Sequence, residues 1–183
     1  MTMPPRLRKF ALIAHVAFSV ATFGAVAAFL ALAIAGLLAE SGRMASAVYI
    51  AMDLVVRSII VPLVAGALVT GLIQSLGTSW GLIRHWWVVA KLTVTICVAI
   101  VLLLQLSGIA QLAEAALASD LAPGDFRQLR WSPVVHAAGG LAALFVPLAL
   151  SIYKPPGMTR YGWRKAQEAG QGRSSGRGIE APV

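Results

Sequence analysis

The stretch FALIAHVAFSVATFGAVAAFLALAIAGLLA, residues 10–39, holds thirty residues and a single ionisable side chain, His15. About 20 apolar residues suffice for a helix to cross the roughly 30 Å hydrocarbon core of a bilayer. The run is also about twice as long as the 7–15-residue apolar region of a cleaved secretory signal. It therefore reads as a retained membrane span, preceded by a basic leader with Arg6, Arg8 and Lys9.

Three further spans follow from the same reasoning. Residues 45–76 carry Asp53 and Arg57 in their first half, and the uncharged remainder, 58–76, is nearly long enough to cross by itself. Residues 86–106 are interrupted only by Lys91, and 134–153 open on His136 and contain Pro147. Of the 183 residues 58% are hydrophobic and 12% charged, with mean hydropathy +0.80. A water-soluble domain is about a quarter charged, so that class is excluded. The expected fold is an all-α membrane protein, an antiparallel bundle of four transmembrane helices forming one domain over 1–165. Between the third and fourth spans, Ile109, Leu112, Ala113, Ala116 and Leu117 recur at helical spacing. That spacing predicts a short amphipathic surface helix over about 109–121, ended by the Pro123-Gly124-Asp125 turn. The basic Gly/Ser-rich stretch 166–183 is expected to be a disordered tail.

A net charge of +8 in a soluble chain would suggest nucleic acid, but here its placement follows topology. The leader, the 77–85 loop and the tail carry ten Lys and Arg residues, against three (Arg43, Arg127, Arg130) in the opposite connections. Positive charge favours the cytoplasmic side, so both termini are expected there, with the lipid bilayer as partner and no nucleic acid. Trp86, Trp87, Trp131 and Tyr153 suit interfacial anchors. Cys97, the single cysteine, rules out an intrachain disulfide and reads as a small core hydrophobe. No metal-type Cys/His spacing and no Gly-rich phosphate loop is present in the sequence.

Each span gathers its polar and small residues on one stripe. These are His15, Ser19 and Thr22; Asp53, Arg57, Ala67, Gly71 and Gln74; Trp87, Lys91, Thr95 and Gln105; and His136, Gly140, Ala143, Pro147 and Ser151. Lipid gives no reward for burying Leu between helices, so membrane interfaces collect such residues. His15 lies five residues past 10 and Lys91 five past 86, which puts both about 8 Å inside the same boundary. Asp53, Arg57 and His136 form an expected polar cluster toward the other side. A neutral imidazole in a dry bundle is a natural axial ligand for haem iron. His15 and His136 belong to opposite leaflets, so one His per cofactor is expected, His15 with Lys91 as a second ligand or as the partner of a haem propionate.

Residues 6–16 (RLRKFALIAHV), 71–82 (GLIQSLGTSWGL), 84–92 (RHWWVVAKL), 135–140 (VHAAGG) and 151–155 (SIYKP) resemble an uncharacterised family of bacterial four-helix integral membrane proteins. More distantly, His15 and the Trp-x-x-x-Lys-Leu pattern ending at Lys91 and Leu92 are similar to copper-resistance-D-like and HemJ-type membrane proteins. The HemJ-type resemblance implies a haem-binding protoporphyrinogen oxidase, with His15 and Lys91 at the positions it depends on. The first helix reads Ala21-Thr22-Phe23-Gly24 where that type carries Trp-Gly. The bacterial resemblance implies the plasma membrane.

The residues favour a non-catalytic membrane component or assembly partner over an enzyme, acting with a second copy or another membrane protein. The alternatives are a haem b-binding redox or cofactor-metabolism protein using His15 and Lys91, and a small transporter acting as an oligomer.

Overall fold

The computed structural model describes residues 3–78, 81–119, 121, 126–153 and 155–176. It is all-helical, with α1 (Pro5–Leu37), α2 (Gly42–Val55), a π-helical turn (Val56–Ile60), α3 (Val61–Leu76), α4 (Trp86–Ala118), α5 (Arg127–Tyr153) and α6 (Arg160–Gly176). α1, the continuous run Gly42–Leu76, α4 and α5 are each long and apolar enough to cross a membrane.

The π turn has a local cause. Pro62 has no N–H to give to the carbonyl four residues back, and its ring crowds that carbonyl. The chain widens by one residue, so that the Val61 N–H reaches the Val56 carbonyl. Ser41 caps α2 by accepting from the Met44 N–H at 3.2 Å.

The spans pack in a ring. α1 lies against α2, α3 and α5; α2 against α4; and α4 against α5. Glycines set the close approaches on one seam. A Cβ on Gly66 would strike the Phe18 ring, one on Gly71 would come within 3.0 Å of His15 Cε1, and one on Gly36 would meet Tyr49 Cζ at 3.0 Å. Burial is uneven. The core joins Phe29 and Ala33 of α1, Tyr49 and Met52 of α2, and Ile109 and Leu112 of α4. Only 6% of the most apolar window of α4 or of α5 is buried. Their remaining apolar surface needs lipid as its solvent.

Three expectations are corrected. The surface helix over 109–121 is not a separate element: α4 runs unbroken to Ala118, and Ile109, Leu112, Ala113 and Ala116 are buried in the core. Ser107 and Gly108 read as an exit from the membrane, but the following Ala, Leu, Gln and Glu are strong helix formers that carry the helix on. α5 starts at Arg127, seven residues before the expected 134, and takes Pro133 inside it. The tail past 165 is helical to Gly176, and 177–183 lie outside the described residues. Thr159 starts that helix by accepting from the Gly162 N–H at 3.1 Å while donating to the Ile83 carbonyl at 2.6 Å. The expected 123–125 turn also lies outside the described residues.

Candidate functional site

His15 is half-buried and held by α3. Its Nδ1–H is shared between the Ala67 carbonyl at 3.1 Å and Thr70 Oγ1 at 3.2 Å. Thr70 donates its own proton to the Gly66 carbonyl at 2.6 Å, so its oxygen is free to accept. Gly71, bare of a side chain, gives the imidazole its seat.

Lys91 is held by α5. Its ammonium donates to Ser151 Oγ at 2.7 Å and lies 5.4 Å from the centre of the Trp87 ring, one turn back on α4. Ser151 in turn donates to the Pro147 carbonyl at 2.7 Å. The two members of the expected pair are each bonded to a different neighbouring helix, His15 to α3 and Lys91 to α5.

The expected outer trio is not one cluster. Asp53 and Arg57 pair with each other at 2.8 Å across one turn, with the arginine exposed. His136 belongs to a separate network between α4 and α5. Its Nδ1–H donates to the Ser132 carbonyl at 2.7 Å, and its Nε2 accepts from the Gln105 amide at 3.2 Å. The circuit closes as Ser132 Oγ donates to Gln105 Oε1 at 2.7 Å. Gln105 stood on the predicted stripe of its helix, but its pairing with His136 needs the register of α4 on α5, which periodicity does not contain. Ser19 and Thr95 bond back to the carbonyls of His15 and Lys91 on their own helices, so those stripe members join no neighbour through these bonds.

Arg130 is a buried cation that sequence reading left in a connecting loop. It is 3% exposed, and its guanidinium stands 5.6 Å from the centre of the Tyr49 ring. The early start of α5 brings it there. Nearby, Ser46 Oγ accepts from the Leu121 N–H at 3.1 Å.

A cavity of about 420 Å³ opens among all four spans, walled by Thr22 and Phe29 of α1, Val64 of α3, Cys97 and Gln105 of α4, and His136 of α5. Its described lining carries neither His15 nor Lys91. Among the described residues, no group of three or more His, Cys, Asp or Glu side chains converges as a metal site.

Comparison of the chain with protein-family profiles, curated proteins and solved structures finds no match.

Proposed function

We propose that the chain is a non-catalytic multipass component of a bacterial plasma membrane, an antiparallel four-helix bundle with both termini cytoplasmic that assembles with a second copy or another membrane protein. The observation that carries this reading is the use made of polar side chains within the spans. His15 ties α1 to α3, Lys91 ties α4 to α5, and Gln105 with His136 ties α4 to α5 again. Hydrogen bonds between membrane helices are the glue that lipid cannot supply. The antiparallel arrangement is supported by two backbone contacts. The Met3 N–H bonds the Gly77 carbonyl, and the Thr159 N–H bonds the Arg84 carbonyl, which brings the basic leader, the 77–85 connection and the end of α5 together. The excess of Lys and Arg on those same segments supports a cytoplasmic placement.

The runner-up is a haem b protein using His15 and Lys91. One observation favours it: an Nδ1–H bonded to a backbone carbonyl is the arrangement that orients a ligating histidine through its other nitrogen. Two weigh against it. The cavity lies among other residues, and the Lys91 nitrogen is engaged as an ammonium donor to Ser151, a form that can pair with a propionate but cannot ligate iron. The two side chains therefore do not fit as a pair of axial ligands.

The test is native electrophoresis of tagged chain from mildly solubilised membranes, read alongside its visible absorbance. The component reading expects a species larger than the monomer that His15→Ala and Lys91→Ala leave intact. A haem absorbance band that either substitution removes would overturn it.

A further inference from the structure

The central cavity has a chemistry that the assembly role does not use. The described residues lining it carry no formal charge, and its walls are apolar except at the Gln105–His136 station and at Thr22. Thr22 donates to the Phe18 carbonyl of its own helix at 2.7 Å. Gly139 and Gly140 also line it, and a Cβ added at either would meet nothing within 4 Å. Gly36, Gly66 and Gly71 admit a neighbour's ring; these two face open space. They enlarge the hollow rather than close a seam.

We infer that this cavity binds an uncharged lipid carrying one hydroxyl or carbonyl on a chain of isoprenoid size. Volume sets the size. An apolar cavity of about 150 Å³ holds one benzene, so 420 Å³ takes roughly 15–20 carbon and oxygen atoms. A transmembrane helix of a second copy is too large: at a diameter of about 10 Å, one turn alone fills roughly that volume. Charge sets the head group. A phosphate or carboxylate would enter a lining with no cation, at the cost of several kcal/mol that an intramembrane charge carries. Hydrogen bonding sets the contact. Gln105 spends one amide hydrogen on His136 and one lone pair on Ser132, leaving one N–H and one lone pair to offer. A hydroxyl can accept from the first and donate to the second. Binding here needs the bundle but not the assembly role proposed above.

Cys97 makes the site measurable, because this lone thiol of the chain lines the cavity and is exposed. The full chain is placed in nanodiscs of saturated phosphatidylcholine, and Cys97 is titrated with dithiodipyridine, an uncharged thiol reagent, while farnesol or its hydroxyl-free counterpart farnesene is added. Farnesol is expected to slow labelling saturably, with farnesene roughly three- to tenfold weaker for want of one hydrogen bond. Gln105→Leu should erase the difference between the two while keeping chain-driven protection. Gly140→Leu should abolish protection by both, and Gly139→Leu serves the same end if that variant misfolds by circular dichroism. Protection that never saturates, or equal protection by the two compounds in the unmodified chain, overturns the proposal. So does protection that follows protein concentration without added lipid, which would place a second copy on the cavity.

Discussion

Lys91 has an aromatic ring one turn behind it and a hydroxyl on α5 in front of it, so its ammonium is held inside the bundle. An ammonium within a span costs about 2.5–3.5 kcal/mol at the helix centre, less toward the ends. Removing the charge therefore has a different sign from removing its partner. Lys91→Met, similar in length and uncharged, is expected to leave stability unchanged or raised. Ser151→Ala is expected to lower it by about 0.6–1.7 kcal/mol, the range for interhelical hydrogen bonds in membranes. The double variant should come close to Lys91→Met alone, because the hydroxyl links two helices only while the ammonium is there and its other bond, to the Pro147 carbonyl, stays within α5. Reversible unfolding in mixed detergent micelles separates the three. His15 gives a steric counterpart. Gly71→Val places atoms where the imidazole ring lies, and overpacking of this kind costs about 1–3 kcal/mol. If the clash is with His15, combining it with His15→Ala should cost less than the sum of the two, measured in the same micelles. The sequence showed that His15 and Lys91 stand on polar faces. It did not show Thr70 or Ser151 as their partners, since a partner depends on which helix lies alongside and at what height.

At the scale of elements, the four apolar runs were legible because length and hydropathy act within one helix. What escaped was continuity. Ser107 and Gly108 in α4, and Pro133 in α5, carry local signals for a break, and packing overrides them. Leu129 lies 3.4 Å from where a Gly108 Cβ would stand, and Pro133 is itself buried. α6 escaped for the opposite reason: its composition is polar and Gly-rich, and its order comes from a contact remote in sequence. Thr159 binds the Ile83 and Arg84 region, and a Cβ on Gly162 would run into the Arg84 carbonyl. Gly162→Val is therefore expected to release α6. The exposed Arg164 and Lys165 should then be cut faster by trypsin in native micelles, with unchanged helix content in the spans by circular dichroism. Thr159→Ala should act in the same direction, through loss of the cap and of the bond to Ile83. Release is not expected from charge alone. Lys165 is fully exposed, and its hydrogen bond to Glu168 raises its pKa above the ordinary lysine value. A raised lysine pKa keeps the pair intact below the ordinary lysine range and loses it only as pH rises through the folded value. Trypsin sensitivity of the unmodified chain, divided by the trypsin rate on a small unstructured substrate at the same pH, should thus stay flat from pH 6 to 9.

Helices long and apolar enough to cross a membrane call for two different solvents around one molecule. At 1.5 Å per residue, the 33 residues of α4 extend about 50 Å, some 20 Å beyond a hydrocarbon core of about 30 Å. The last turns of α4 pack with α2, where Tyr49, Met52 and Leu112 are fully buried. A helix end that projects from a bilayer needs a hydrophobic core of the water-soluble kind, whereas within a bilayer apolar faces rest on lipid and polar bridges specify which helices meet. The two regimes answer differently to the same substitution. Leu112 is 0% exposed and Leu103, nine residues earlier on the same helix, is 56% exposed. Leu112→Ala is expected to cost about 2–5 kcal/mol, the range for emptying a packed site. Leu103→Ala exchanges lipid contact for lipid contact and should stay within about 0.5 kcal/mol. Unfolding in mixed micelles with a graded denaturing detergent measures both. Equal losses at the two positions would mean that Leu103 is packed against protein in the membrane, as a partner helix on the outer face of α4 would require.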